Sequence, residues 1–318
     1  MRLIQFITDQ NKKRVGVCNG NDVQVLMNVD STYALFMFAQ AAKIEIEEAV
    51  ARLLSEEHLD FQTLADEKRL NVPLNHPDPY HTWITGTGLT HLGSASSRNA
   101  MHEKSAKNND ATDSIKMFQM GIENGKMKDG IPGVQPEWFY KGNGLTAVAP
   151  GSAIPSPAFA LDAGEEPEIA ALYIIDKKGQ PKKLGYALGN EFSDHKMERI
   201  NYLYLAHSKL RFCSYGPELL IGDLPSHIAG RSRIRRQGNI IWEKDFLTGE
   251  NNMSHNIFNL EYHHFKYDLF RQPGDVHVHF FGTSVLSFSD NIETKEGDSF
   301  EIEADAFQHP LTNSYYIK

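Results

Sequence analysis

The chain has 318 residues and a formal net charge of -9, with 32 Lys and Arg against 41 Asp and Glu. That length supports one large domain, or a small one beside a large one, with a substantial apolar core. The acidic balance argues against nucleic-acid binding, which needs a concentrated basic face, and the densest basic stretch, Arg231-Ser232-Arg233-Ile234-Arg235-Arg236, reads as a solvated loop or strand edge.

The start, Met1-Arg2-Leu3-Ile4-Gln5-Phe6, runs into polar Asp9-Gln10-Asn11-Lys12 instead of a signal-peptide core, and no apolar run approaches the roughly 20 residues that span a bilayer. A cytoplasmic protein with no membrane partner is expected. Leu3, Gln5 and Ile7 alternate around a polar turn and continue through Val15-Gly16-Val17, a hairpin-like opening. Apolar residues at helical spacing (Leu35, Phe36, Ala39, Ile44, Ala49, Leu53) predict an amphipathic helix over 33–54, with a short second helix over 61–70. Pro73, Pro77 and Pro79 then break the pattern, so residues 1–80 read as a small N-terminal domain. Residues 81–318 are rich in Gly, Pro, aromatics and short β-like runs, which predicts a β-rich domain with a few helices, one over 95–107, and polar loops over 108–114 and 125–130. The class is α+β, rich in strand. Cys18 and Cys213 are too few for a disulfide framework and lack zinc-ligand spacing, so both read as small buried apolar residues.

The most informative passage runs Glu165-Glu166-Pro167-Glu168, then an apolar stretch, the turn Asp176-Lys177-Lys178-Gly179-Gln180, and Gly185-Tyr186-Ala187-Leu188-Gly189-Asn190-Glu191. Strand residues two apart share a face, so Glu166 and Glu168 can converge. With the turn centred between Lys178 and Gly179, Glu166 lies opposite Glu191 on the same face. Three carboxylates in one place repel, and a hard divalent cation such as Mg²⁺ is the usual compensation. The plain alternative is a solvated acidic strand end, and a register slip of one residue would turn Glu191 away.

These residues resemble the fumarylacetoacetate hydrolase superfamily over most of residues 130–318. Pro136-Glu137-Trp138-Phe139-Tyr140-Lys141 matches the segment before the metal strand, Glu166 and Glu168 match the Glu-x-Glu pair, residues 185–191 match the Gly-Tyr-x-x-x-Asn-Asp segment, and Lys209 to Gly216-Pro217 matches the Lys-to-Gly-Pro segment. Pro273-Gly274-Asp275-Val276, Gly282-Thr283, Gly297-Asp298 and Leu311-Thr312-Asn313 look like the closing strands. The passages around Gly189-Asn190-Glu191 and Tyr204-Leu205-Ala206-His207-Ser208-Lys209 look closest to the GguC-type branch and then to the 2-keto-3-deoxy-pentonate dehydratases. The resemblance implies a mixed β-sandwich roll with a small N-terminal α/β domain, a homodimer, Mg²⁺ (with Mn²⁺ or Ca²⁺ as substitutes) on Glu166, Glu168 and Glu191, and Lys209 as the active-site lysine. Two departures stand out. The third ligand is normally Asp, whereas this chain has the longer Glu191, leaving Asp194 as the other candidate to complete the shell. The His-Glu pair that activates water in carbon–carbon hydrolases has no clear match, His91 and His102-Glu103 being nearest.

A 2-oxo acid can chelate Mg²⁺, which then stabilises the enolate left when a C3 proton departs. The function expected is dehydration of a 2-keto-3-deoxy sugar acid such as 2-keto-3-deoxy-arabinonate. The alternatives are a hydrolase of a 2,4-diketo acid and a sugar-acid-binding protein without turnover. Lys209, His91 and Asp194 are the candidate catalytic groups; Lys141, Gly282, Thr283 and His207 are the candidate substrate contacts. Against each stands an ordinary role: surface lysine, core histidine, exposed turn. His195 could also supply an acid near neutral pH. His277-Val278-His279 puts two imidazoles on one strand face, a metal spacing in other folds, while His263-His264 would face opposite sides of a strand. Neither a phosphate-binding loop (Gly121-Ile122-Glu123-Asn124-Gly125-Lys126 has the wrong spacing) nor a Gly-x-Ser-x-Gly elbow occurs.

Overall fold

The computed structural model describes residues 1–93 and 112–318. The helix expected over 95–107 and the pair His102-Glu103 lie outside the described residues. Strand Arg2–Ile7 pairs antiparallel with Lys13–Asn19, Leu3 opposite Val17 and Gln5 opposite Val15, as the alternation predicts. Asp22–Leu26 and Leu54–Asp60 extend this sheet to one edge.

The single helix expected over 33–54 is two helices, Thr32–Ala42 and Ile46–Leu53. Lys43 adopts the left-handed conformation (φ 54°), and its backbone N–H closes the first helix on the Ala39 and Gln40 carbonyls. The apolar rhythm survives the break because Leu35, Ala39, Ala49 and Val50 enter one core. The next helix stops at Phe61–Asp66, and Leu70–Asn71 joins the sheet beside Phe6 and Gln5. A helix at Asp113–Asn124, capped by the Thr112 hydroxyl, was not expected. Ile115, Phe118 and Ile122 do recur at helical spacing on it, a signal the sequence reading passed over, although only its Ser114 and Gly121 are buried. His263 and His264 lie on helix Ile257–Phe265 instead of a strand.

From Arg2–Ile7 the same sheet continues through Leu219–Ile221, Pro181–Asn190, Pro167–Ile175, Val276–Phe280 and Thr82–Gly88 to Glu137–Asn143. Residues 1–80 therefore share a sheet with the rest, Leu3 lying opposite Leu219, while Ile4, Phe6, Val23, Phe61 and Leu64 form a core of their own. A second sheet of five strands runs Asn239–Thr248, Ile228–Arg236, Ser299–Ala304, Leu311–Ile317, Ile154–Ser156. Its basic strand is matched by acids on both neighbours: Arg233 reaches Glu243, Glu301 and Glu303, and Arg231 reaches Asp245 at 2.6 Å.

The middle of the molecule is strand Pro167–Ile175, buried along its whole length. Ile169, Ala171 and Tyr173 face a core that includes Ile234, Phe246 and Phe300 of the second sheet. Ala170, Leu172 and Ile174 face the core that includes the N-terminal helices. Covering both faces explains why this strand reads as a continuous apolar run, and it fixes the register of the acidic end.

Candidate metal centre and active site

Pro167 lies opposite Asn190 and Glu168 opposite Gly189, and the Glu191 N–H donates to the Glu166 carbonyl at 3.0 Å. Glu166, Glu168 and Glu191 thus end on one face, with oxygens within 4.8 Å of one another and all three residues buried. Glu165, on the other parity, turns away and accepts from the Ser287 N–H (2.9 Å) and hydroxyl (2.7 Å); burial pushes its carboxyl up to about 7.

Two ammonium groups and an imidazole surround the trio. Lys209 Nζ bonds to Glu166 Oε1 and Glu191 Oε2 and lies 3.2 Å from the Ser193 hydroxyl, with the Phe139 ring centroid 4.7 Å beneath it. Burial would lower its pKa, but Glu166 and Glu191 more than offset this and hold the ammonium charged. Lys141 Nζ lies 2.5 Å from Glu191 Oε1 and donates to the Phe192 and Lys209 carbonyls at 2.7 and 3.1 Å. His195 bridges Glu166 (3.1 Å) and Asp162 (3.3 Å), and despite its burial these acids raise it to about 10.

The three carboxylates respond differently. Burial would raise Glu166, yet Lys209 and His195 hold it well below the ordinary range. Burial, then the charges of Glu191 and Glu166, push Glu168 well above it. Glu191 is also raised, by burial and Glu166, against the pull of Lys141 and Lys209. Glu168 Oε2 accepts from the Gly282 N–H at 2.7 Å, while its Oε1 is buried without a hydrogen-bond partner. A buried carboxylate with one oxygen unmatched and two acidic neighbours is the arrangement a hard cation relieves, and Glu166, Glu168 and Glu191 supply the oxygen donors for it.

The other expected groups are placed as follows. Asp194 caps helix His195–Ile200 through the Met197 N–H and accepts from the Leu161 N–H and Arg211 Nη2 at 2.9 and 2.8 Å, which commits its carboxylate away from the trio. His91 is buried between the Thr90 and Thr248 hydroxyls, at 3.2 and 2.8 Å, and burial lowers it to about 4. Thr283 donates to the Val285 carbonyl at 2.8 Å beside Gly282. Gly282 has φ 96°, and a Cβ there would meet the Thr87 carbonyl at 2.8 Å, so only glycine brings this N–H to Glu168. His207 is exposed on helix Leu205–Lys209. His277 and His279 do share a face, but they pack with His264 and not with the carboxylates: His264 Nε2 lies 3.0 Å from His277 Nδ1, and His279 Nδ1 lies 2.8 Å from the Thr85 hydroxyl.

Strand Glu137–Asn143 adds a group the motif reading overlooked. It buries Glu137, Phe139 and Lys141 and leaves Trp138 and Tyr140 more open, so Glu137 shares the face of the two residues beside Lys209. Its Oε2 accepts from the Tyr202 hydroxyl at 2.7 Å, and its Oε1 occupies the space where a Cβ on Gly88 would stand. The alternation Glu137, Phe139, Lys141 was the available signal.

The chain matches no family model. Over 121 residues, 36% of this chain and 40% of the relative, it is 31% identical to a probable 2-keto-3-deoxyxylonate dehydratase of Haloferax volcanii. Over 122 residues, 37% of this chain and 40% of the relative, it is 30% identical to 2-dehydro-3-deoxy-D-arabinonate dehydratase of Saccharolobus solfataricus. The matches span less than half the length of either relative. The fold is that of 2-keto-3-deoxy-D-arabinonate dehydratase complexed with magnesium and 2,5-dioxopentanoate (TM-score 0.71, 20% identity, 100% of this chain and 99% of that one). A 5-carboxymethyl-2-hydroxymuconate delta-isomerase from Mycobacterium smegmatis shares it too (TM-score 0.60, 14% identity, 100% of both). The chain therefore has the fold that its motifs led one to expect, that of the fumarylacetoacetate hydrolase superfamily.

Proposed function

We propose that the chain is a Mg²⁺-dependent dehydratase of a 2-keto-3-deoxy sugar acid, with Glu166, Glu168 and Glu191 as the metal ligands. The observation that carries this reading is the buried convergence of those three carboxylates against Lys209, in a chain whose sequence matches are dehydratases of such acids. The donor set is all oxygen, which suits Mg²⁺ and also Mn²⁺ or Ca²⁺. Bound Mg²⁺ supplies Lewis acidity toward the carboxylate and keto oxygens of a 2-oxo acid. Lys209, kept charged by its neighbours, offsets the negative charge that develops when the C3 proton leaves. Glu137, held by the Tyr202 hydroxyl, is the candidate to carry that proton. The C4 hydroxyl takes up that proton and departs as water, leaving a C3–C4 double bond; for a pentonate, transfer of a proton from C5 to C3 then gives the C4–C5 enol, which is protonated at C4 as its hydroxyl proton leaves to give 2,5-dioxopentanoate.

Dehydration is favoured over carbon–carbon hydrolysis by the dehydratase sequence matches and, among the described residues, by His91, which is locked between two threonine hydroxyls, where it is poorly suited to activate water. A homodimer is proposed as well, supported by the exposed apolar side chains Phe159, Ile200, Leu203 and Leu210 on segments flanking the site; a monomer mass by light scattering would count against it. The activity test offers 2-keto-3-deoxy-pentonates and a 2,4-diketo acid in parallel, with Mg²⁺, and follows products by NMR. Formation of 2,5-dioxopentanoate is expected. Cleavage of the diketo acid alone would make the chain a hydrolase, and binding of either acid without turnover would make it a sugar-acid-binding protein.

A further inference from the structure

A second cluster of metal-ligating groups lies outside the acidic centre. Cys18 on strand Lys13–Asn19, Glu218 just before strand Leu219–Ile221, and His309 just before strand Leu311–Ile317 bring one donor atom each within 4.8 Å of the others. Cys18 Sγ lies 3.5 Å from His309 Nε2, and Glu218 Oε1 lies 3.7 Å from the same nitrogen. Donors about 2.0–2.3 Å from a tetrahedral Zn²⁺ stand roughly 3.4–3.6 Å apart, so the 3.5 Å spacing matches an edge of that tetrahedron and the 3.7 Å spacing is a little longer than one. Glu218 points into the cluster: its side chain is fully buried, its Oε2 meets Arg2 Nε at 3.2 Å and the Gln308 N–H at 3.2 Å, and its Oε1 has no hydrogen-bond partner. His309 is oriented by stacking on Phe61, ring centroids 3.5 Å apart. The Gly20 carbonyl accepts from His309 Nε2–H at 2.8 Å and from the Cys18 thiol at 3.4 Å, so these are the two protons an ion would displace.

A nucleophile-base-acid relay is excluded by the geometry, since thiol and carboxylate both approach the same ring nitrogen, whereas a relay needs the acid on Nδ1. We infer that Cys18, Glu218 and His309 form a structural site for Zn²⁺ or a similar thiolate-binding divalent ion, joining the N-terminal hairpin to the two C-terminal strands. The soft thiolate and imidazole distinguish it from the all-oxygen centre. Loading releases the Cys18 thiol proton and leaves the His309 ring proton on Nδ1, freeing the Nε2 lone pair. Entry is available from the cleft of about 930 Å³ whose lining includes Gln308, His309 and Pro310.

The test adds Co²⁺ to the full chain in excess Mg²⁺ and reads the thiolate-to-cobalt charge-transfer band, which an all-oxygen centre cannot give. One equivalent is expected to develop the band, with a rise in thermal midpoint. Both should be lost in Cys18→Ser and His309→Ala and kept in Cys213→Ser. Cys18→Ser should leave sugar-acid turnover unchanged, so this proposal can fail without the dehydratase reading and the reverse. If Cys18→Ser does not fold, Glu218→Gln takes its place and should weaken cobalt binding at least about tenfold. Absence of the band in the parent chain, or its persistence in Cys18→Ser, overturns the site.

Discussion

At the scale of single residues, Glu168 concentrates the strain of the acidic centre. One oxygen is held by Gly282 and the other has no partner, so Glu168→Gln keeps the Gly282 contact and removes only the charge. That variant should unfold within about 1 kcal/mol of the parent, as expected when one acceptor is retained. It should lose calorimetric Mg²⁺ binding and, if several kcal/mol of charge stabilisation go with the ion, about a thousandfold in turnover. Lys209 behaves differently, because removing one partner leaves buried charge uncompensated. Lys209→Met should destabilise the metal-free protein by about 3–5 kcal/mol in denaturant titration, with Mg²⁺ restoring more stability than it adds to the parent; equal stability of the two metal-free proteins would refute the role. The acidic trio was legible because strand parity alone pairs Glu166 with Glu168. Lys209 was legible only through resemblance. Neither the link from Asp162 through His195 to Glu166 nor the inward turn of Lys141 could be read, since each depends on which strands meet in three dimensions.

At the scale of elements, the hairpin shows how register is set. Its turn brings Ile175 opposite Pro181, which alone would place Glu166 against Asn190. The extra residue Leu184, between the pairs Tyr173–Lys183 and Leu172–Gly185, shifts the pairing by one and returns Glu191 to the face of Glu166. The expected pairing thus holds, but through a turn centred on Lys178 and a β-bulge that no local motif announces. Glycines at the sheet's end matter for the same geometric reason. Gly282→Ala forces a Cβ against the Thr87 carbonyl at a positive φ, so the N–H that holds Glu168 must move. Weaker Mg²⁺ binding, by at least about tenfold, is expected in calorimetry; unchanged affinity would show that the Gly282 contact does not orient the ligand. The break at Lys43 was hidden because both helices present apolar residues to one core, so the periodicity runs on across it.

At the scale of the molecule, strand-rich character and its order along the chain were legible, while the joining of Arg2–Ile7 to Leu219–Ile221 was not, because pairing between distant segments leaves no local trace. The finished core buries histidines. Burial lowers His91 and His255 to about 4 and His277 and His279 to about 3. Stability from keeping them neutral is present above their unfolded value near 6.5 and is lost as pH falls through 4 and 3. Glu165 and Glu218, raised to about 7 by burial, act in the opposite sense: their contribution is present below the unfolded value near 4.5 and is lost as pH rises through 7. The two sets oppose each other between pH 6.5 and 4.5, and below 4.5 only the histidines continue to act. Four histidines against two carboxylates leave a net loss over the whole range, so the thermal midpoint followed by circular dichroism should already fall as pH drops from 6.5 to 4.5 and go on falling to pH 3; a flat profile to pH 3 would contradict the neutral core. The most direct test of the central claim follows 2,5-dioxopentanoate formed from a 2-keto-3-deoxy-pentonate by the parent chain with Mg²⁺, with excess EDTA, and by Glu168→Gln with Mg²⁺. The account predicts product at the parent's rate in the first case alone, whereas undiminished product formation in EDTA or by a folded Glu168→Gln protein would contradict it.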